Sequence, residues 1–157
     1  MIDILDQTPI AIIGGGPFCK DFLALLYSDH FSQRRPKVLG VAYPDNNAEG
    51  IRYAQKKGIF TTQKYENLYR KKGLKVLIEI TNDCMIAEAV DKTKPKSVKL
   101  IDQVESRTLW SMLQVESEKL QMLQAIEKGE MAGDEMGSVV TQFAERIEQM
   151  IQTRGER

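Results

Sequence analysis

The stretch Ile10–Cys19, IAIIGGGPFC, decides the fold of this chain. An apolar run typical of a buried strand, Pro9–Ile13, leads into three consecutive glycines, and an amphipathic helix pattern follows over Phe18–Leu26. Glycines in such a turn let backbone N–H groups at a helix N-terminus approach a phosphate closely. The stretch therefore predicts a strand, a phosphate-binding turn and a helix in direct succession.

Strand and helix signals continue to alternate over the first two-thirds of the chain. Further strands are predicted over Lys37–Tyr43, Ile59–Thr62, Lys75–Thr81 and Val98–Asp102, and helices over Ala48–Lys57, Tyr65–Lys71 and Cys84–Asp91. Strands that alternate with helices at this spacing form right-handed βαβ units. We therefore predict an α/β domain over residues 1–103, with a parallel sheet of about five strands and helices on both faces.

The pattern changes after Asp102, where strand signals end and apolar residues recur at helical spacing. A break at Gly129–Gly133 interrupts this tail, residues 104–157. Beyond the break, a heptad seam is formed by Met136, Val140, Phe143, Ile147 and Met150. The tail is predicted to pack on its own domain or to pair with the tail of a second copy, and a coiled-coil homodimer is the favoured interpretation.

The composition argues against several classes of function. Lys plus Arg and Asp plus Glu number 22 each, so the net charge is zero and predicts neither a nucleic-acid nor a membrane partner. No apolar run reaches the ~20 residues that span a bilayer. The N-terminus carries acids and no basic leader, and only two cysteines occur, so a reducing, cytoplasmic setting is expected. With His30 as the single histidine, no metal site and no catalytic residue is predicted.

Gly14 and Gly16 match the first two positions of the G-x-G-x-x-G/A fingerprint of dinucleotide binding, and the third position holds Cys19, which is small but larger than alanine. Gly14, Gly15, Gly16, Pro17 and Phe18 are therefore the predicted phosphate turn. The thiol of Cys19, near the positive end of the helix, is interpreted as a packing group, with a redox-sensitive thiolate as the alternative.

The residue at the end of the second strand indicates which nucleotide could be bound. An acid is expected there for the ribose hydroxyls, but the strand ends in Tyr43, and Asp45 follows two positions later. Tyr43 is predicted to stack on an adenine and Asp45 to reach the ribose, while Arg52 is a candidate contact for a 2′-phosphate. The sequence leaves NAD, NADP, coenzyme A and other nucleotides open.

Residues 8–102 resemble the dinucleotide-binding, Rossmann half of the glucose–fructose oxidoreductase and inositol dehydrogenase family. The segments that carry the resemblance are IAIIGGGPFC, KVLGVAYPDNNAEGIRYAQKKGI, TTQKYENL and KVLIEITND. The chain is also similar to homoserine dehydrogenase, to dihydrodipicolinate reductase and to Rossmann-type domains of bacterial signalling proteins. The resemblance implies that the loop after strand four, with Thr81, Asn82 and Asp83, lines the cofactor.

The substrate domain that those oxidoreductases carry has no counterpart after residue 102. Hydride transfer needs a substrate held against the nicotinamide and a proton donor or acceptor beside it. The favoured hypothesis is therefore a regulatory or sensory domain that binds a nucleotide without turnover. The alternatives are a small NAD(P)-dependent oxidoreductase completed by a dimer mate, and a degenerate scaffold whose crevice is filled by Phe18 or Tyr43.

Overall fold

The computed structural model describes residues 5–129 and 133–155, and its centre is a five-stranded parallel sheet. The strands are β1 (Pro9–Ile13), β2 (Lys37–Ala42), β3 (Thr61–Thr62), β4 (Val76–Glu79) and β5 (Lys99–Ile101). The helices are α1 (Pro17–Leu26), α2 (Glu49–Lys56), α3 (Cys84–Thr93), α4 (Gln103–Glu127) and α5 (Gly133–Gly155), with 3-10 helices at Asp29–Phe31 and Tyr65–Arg70. The predicted α/β Rossmann-like fold is confirmed.

The strand order is β3-β2-β1-β4-β5, so the chain adds strands on one side of β1 up to β3 and then on the other side with β4 and β5. Right-handed crossovers from β1 through β2 to β3 put α1 and α2 on one face, where the two helices pack against each other. Beyond β1 the crossovers run the other way, so α3 and the second 3-10 helix cover the opposite face. A core cluster on that face joins Ala11 and Leu77 of the sheet to Leu68 and Val90 of the helices.

Most element boundaries agree with the predictions to within two residues, and the differences have local causes. Strand β4 ends at Glu79, two residues before the predicted end at Thr81, because Asn82 adopts a left-handed backbone conformation with φ 63° that turns the chain. The predicted helix Tyr65–Lys71 is a 3-10 helix, Tyr65–Arg70.

The chain divides into two compact units, with the boundary between Arg107 and Thr108, inside α4. In the second unit, Arg146 of α5 forms an ion pair with Glu118 of α4. The predicted break at Gly129–Gly133 includes residues 130–132, and the predicted seam includes the side chain of Met136; both lie outside the described residues. No described helix is long and apolar enough to cross a membrane.

Candidate functional site

The first two glycines of the turn after β1 are required by the protein's own packing. Gly14 has φ +129°, a conformation that side chains rarely adopt, and a Cβ there would lie 2.7 Å from Cγ1 of Ile80. A Cβ on Gly15 would lie 2.6 Å from Cβ of Tyr43. The Gly14 N–H donates to the Ala42 carbonyl at 2.9 Å, so this amide is already used by the sheet.

Gly16 differs from its two neighbours. Its φ is −79°, which any residue adopts, and a Cβ built on it meets no atom within 4 Å. The N–H groups of Gly15 and Gly16 donate to no group in residues 5–129 or 133–155. Neither backbone strain nor packing requires glycine at position 16, and the space above it is open to an approaching group.

The other two residues of the predicted turn belong to helix α1. Pro17 is the first helical residue, where its missing N–H is not needed. The ring of Phe18 lies 6.2 Å, centroid to centroid, from the ring of Phe22. Phe18 therefore contacts its own helix, and the alternative of a degenerate scaffold whose crevice is filled by Phe18 or Tyr43 stays a prediction.

A cavity of about 510 Å³ opens at the carboxyl ends of the strands, beside the point where the strand order reverses. Its apolar wall comes from the ends of β1 and β2 and from α3, and its polar rim from the loops after β2, β3 and β4. The lining residues are Ile13, Ala42, Tyr43, Pro44, Asp45, Gln63, Lys64, Tyr65, Glu66, Thr81, Asp83 and Ile86. A volume of several hundred Å³ is typical of small-molecule sites.

Three of the nine predicted cofactor residues line this cavity: Tyr43, Asp45 and Thr81. The five turn residues, 14–18, and Asn82 do not. Tyr43 joins the cavity to the turn, because its Cβ packs against Gly15 while its side chain contributes to the lining. The cavity and the open space at Gly16 are therefore neighbouring parts of one edge of the sheet.

Sequence reasoning missed the contribution of the loop after β3, which supplies Gln63, Lys64, Tyr65 and Glu66. The Gln63 amide donates to the Pro44 carbonyl at 3.2 Å and so ties this loop to the loop after β2. The sequence TTQKYEN does place polar side chains directly after a predicted strand. Because the carboxyl ends of neighbouring parallel strands meet at one edge of the sheet, this segment could have been predicted to line the cavity.

Asp45 has a structural role in addition to lining the cavity. One oxygen of its carboxylate accepts from the Asn47 N–H at 2.8 Å, and its carbonyl accepts from the Ala48 N–H at 3.3 Å. These bonds form an Asx turn that leads into α2. The side chain is exposed and contributes to the lining of the cavity.

Thr81, which lines the cavity, is hydrogen-bonded to a buried acid, Glu79, which is 1% exposed. Oxygen Oε1 of Glu79 accepts from the Thr81 N–H at 2.6 Å and from the Thr81 hydroxyl. Thr81 in turn accepts from the Asp83 N–H at 3.2 Å, and Asp83 caps α3 by accepting from the Met85 N–H at 2.9 Å. These hydrogen bonds connect the end of β4 to the start of α3.

The same loop is bonded to the first turn of α4. The Gln103 amide donates to Oδ1 of Asn82. The buried Ser106 hydroxyl lies 2.6 Å from the Asp102 carbonyl and 3.2 Å from the Glu79 carbonyl. Asn82 therefore links the loop to α4, and its predicted contact with a cofactor stays a prediction.

The remaining candidate groups are not among the residues that line the cavity. Cys19 is buried, and burial raises the pKa of its thiol to about 12. The thiol therefore stays protonated near neutral pH, which contradicts a reactive thiolate and favours the packing interpretation. Cys84 is exposed at the start of α3, and Arg52 is exposed on α2.

Acidic residues dominate the segments that follow the strands. Residues 43–49, 63–66, 80–84 and 102–105 hold six acids and one base, Lys64. No group of three or more His, Cys, Asp or Glu side chains in the described parts of the chain could hold a metal ion. The edge therefore offers hydrogen-bond acceptors and a negative field.

These features define an α/β protein of Rossmann-like fold with an open, acid-rimmed cavity at the carboxyl edge of its sheet. No protein-family model matches the chain, and no curated protein matches its sequence.

Proposed function

We propose that this chain binds a nucleotide of the NAD type at the carboxyl edge of its sheet and acts as a regulatory or sensory domain without turnover. The observation that carries the proposal is the 510 Å³ cavity beside a glycine that the protein's own packing does not require. Ligands of open α/β sheets bind at this edge, where the strand order reverses.

The lining chemistry supports a flat base and a ribose in the cavity. The rings of Tyr43 and Tyr65 and the side chains of Ile13 and Ile86 offer apolar surface to a base. The Asp45 carboxylate accepts hydrogen bonds from ribose hydroxyls. The phosphates then lie over Gly16, where the Gly15 and Gly16 N–H groups donate to them.

The charge of the edge distinguishes the candidate nucleotides. Six acids against one base repel additional phosphate groups, and Arg52, the candidate partner of a 2′-phosphate, does not line the cavity. NAD carries fewer negative charges than NADP, coenzyme A or ATP. Among the nucleotides that the sequence leaves open, the proposal therefore favours NAD.

Substituting Gly16 with leucine tests the binding site. The new side chain enters open space, so we expect at least a tenfold loss of NAD affinity by calorimetry, because the phosphates can no longer approach the turn. Stability falls by no more than about 1 kcal/mol, through the poorer N-cap. Gly137→Leu, at another glycine whose Cβ would meet open space, serves as the control and leaves affinity unchanged. Unaltered NAD binding by Gly16→Leu, or no binding of any nucleotide to the unsubstituted protein, contradicts the proposal.

We further propose that occupancy is transmitted through the loop after β4 to the first turn of α4. Thr81 lines the cavity, and the adjacent Asn82 is bonded to Gln103. A ligand that orders this loop therefore also orders the start of α4. A downstream signalling protein and a cytoplasmic location, where Cys19 and Cys84 stay reduced, belong to the same proposal.

Replacing Gln103 with leucine is expected to uncouple α4 from the ligand. In the unsubstituted protein, NAD slows amide hydrogen exchange in the first turns of α4 severalfold. In Gln103→Leu, the NAD affinity stays within about twofold and this protection is lost. The control is Gln124→Leu, at an exposed position on the same helix, which retains both the NAD affinity and the protection of α4 by NAD. If protection persists in Gln103→Leu, the route through Asn82 is wrong although NAD binding stands.

A homodimer through the C-terminal helices is also part of the proposal. Large apolar side chains are exposed on both helices, among them Leu123 and Ile126 of α4 and Val140 and Ile147 of α5. Val140 and Ile147 are seven residues apart, as a heptad seam requires. A second copy of the same helices would remove these side chains from water.

A further inference from the structure

The zero net charge of the chain conceals a separation of charge along the strand direction. Four segments end the helices and lead into β2, β3, β4 and β5: residues 27–37, 56–60, 70–75 and 91–99. They hold 13 of the 17 basic residues in residues 1–107, against two acids, Asp29 and Asp91. We call this end of the sheet the basic edge. It is opposite the acid-rimmed cavity.

Strands β1, β2, β4 and β5 begin at nearly the same level at the basic edge, whereas β3 begins farther along the sheet, beside Val41 of β2. Lys37 is paired with Pro9 at the start of β1 and β2, and Lys75, which precedes β4, donates its N–H to the Pro9 carbonyl at 3.1 Å. Lys99 starts β5 and donates its N–H to the Lys75 carbonyl at 2.9 Å. The four strands from β2 to β5 are about 15 Å wide at this spacing. Three exposed lysines therefore lie along a straight edge, with cations from helix ends on both sides of it.

The Lys and Arg side chains of the basic edge form no ion pair with the described acids, although Arg35 donates to the Leu26 carbonyl at 2.9 Å. Two ion pairs among the described residues are Lys20–Glu49 and Arg146–Glu118, and neither includes a residue of the basic edge. Helix C-termini attract cations, which accounts for some of these positions. It does not account for Lys37, Lys75 and Lys99, because they stand at the starts of strands.

Aromatic rings at the basic edge are already covered by cations. The Arg35 guanidinium lies 4.3 Å from the centroid of the Tyr27 ring, and the Lys71 ammonium lies 3.5 Å from that of Phe60. Lys57 lies 5.7 Å from the centroid of the Tyr53 ring. Single-stranded nucleic acids stack their bases on uncovered rings, so these rings do not favour them.

We propose that the basic edge binds the surface of an anionic lipid bilayer. The cations spread in two dimensions, over the sheet and over the helix ends on both faces, which fits a plane of negative charge better than a single strand in a groove. Basic residues held against anionic headgroups supply the attraction. The contact is peripheral and electrostatic, and it does not depend on nucleotide binding.

The test is co-sedimentation of the full chain with phosphatidylcholine vesicles that contain phosphatidylserine. The variant removes the three strand-start lysines as Lys37→Gln, Lys75→Gln and Lys99→Gln. Each cation near an anionic surface contributes about fivefold to partitioning, so we expect a loss on the order of 100-fold. A control of equal net charge carries Arg52→Gln, Lys119→Gln and Lys128→Gln, all at exposed positions outside the four segments that form the basic edge.

The expected result is binding to these vesicles at low salt, no binding to phosphatidylcholine alone, and a large loss only in the lysine variant. Circular dichroism checks that both variants are folded. Equal losses in the variant and the control would mean that total charge, not the basic edge, drives binding, and would overturn the proposal. Failure to bind the anionic vesicles, together with lysine-dependent binding of duplex DNA, would overturn it in favour of a nucleic-acid partner.

Discussion

Gly50→Val is expected to destabilise the protein by about 3 kcal/mol or more. Gly50 lies in the first turn of α2, against the glycine turn. A Cβ there would lie 2.6 Å from the Gly15 carbonyl oxygen and 2.7 Å from Cβ of Cys19. The Gly50 N–H also donates to that carbonyl at 2.7 Å. The clash is with backbone and with a buried residue, so it can be relieved only by moving α2 away from the turn.

Thermal unfolding followed by circular dichroism measures this effect, and a drop in the midpoint of roughly 10 °C is expected for a domain of this size. The matched control is Gly137→Val in α5, where a Cβ would meet no atom within 4 Å. Because valine is a better helix former than glycine, this control keeps or slightly raises the midpoint. Equal midpoints for Gly50→Val and the unsubstituted protein would show that α2 does not pack on the turn this closely.

Glu79→Leu is expected to lower the free energy of unfolding by about 3 kcal/mol. Leucine fits a buried strand position, so the loss does not come from a cavity. It comes from the Thr81 N–H and hydroxyl, which lose the carboxylate oxygen that accepts both of them. The loop after β4 then loses its anchor, and nucleotide affinity falls with it.

Urea denaturation measures the loss, and Glu79→Gln is the conservative comparison. The amide retains an acceptor oxygen without the charge, so the expected loss is only about 1 kcal/mol. The double variant Glu79→Leu with Thr81→Val completes a thermodynamic cycle, in which removing the hydroxyl partner recovers part of the loss. Should Glu79→Leu be as stable as the unsubstituted protein, Glu79 would not hold the loop.

Local sequence signals were sufficient to predict the fold. The bounds of β1 agree at both ends, and α1 begins one residue earlier than predicted because Pro17 occupies the first helical position. Pro17 fits there because its φ is already helical and its missing N–H is not needed. The strand order also follows from the predicted βαβ units once β1 is placed in the centre.

The site was harder to predict, because it depends on contacts between distant segments. Gly15 and Gly50 are 35 positions apart, and nothing near either residue indicates that they touch. Glu79 was missed because a single acid in an apolar strand resembles an exposed position, although its partner Thr81 is only two residues away. The charge separation was visible in the sequence, but a net charge averaged over the chain conceals it.

The opposite polarity of the two ends of the sheet determines how the molecule would stand on any negatively charged surface. Adsorption through Lys37, Lys75 and Lys99 turns the mouth of the cavity toward bulk water. Small molecules could then enter and leave while the protein stays attached. Attachment and ligand exchange would therefore proceed independently, with no need for one to be released before the other.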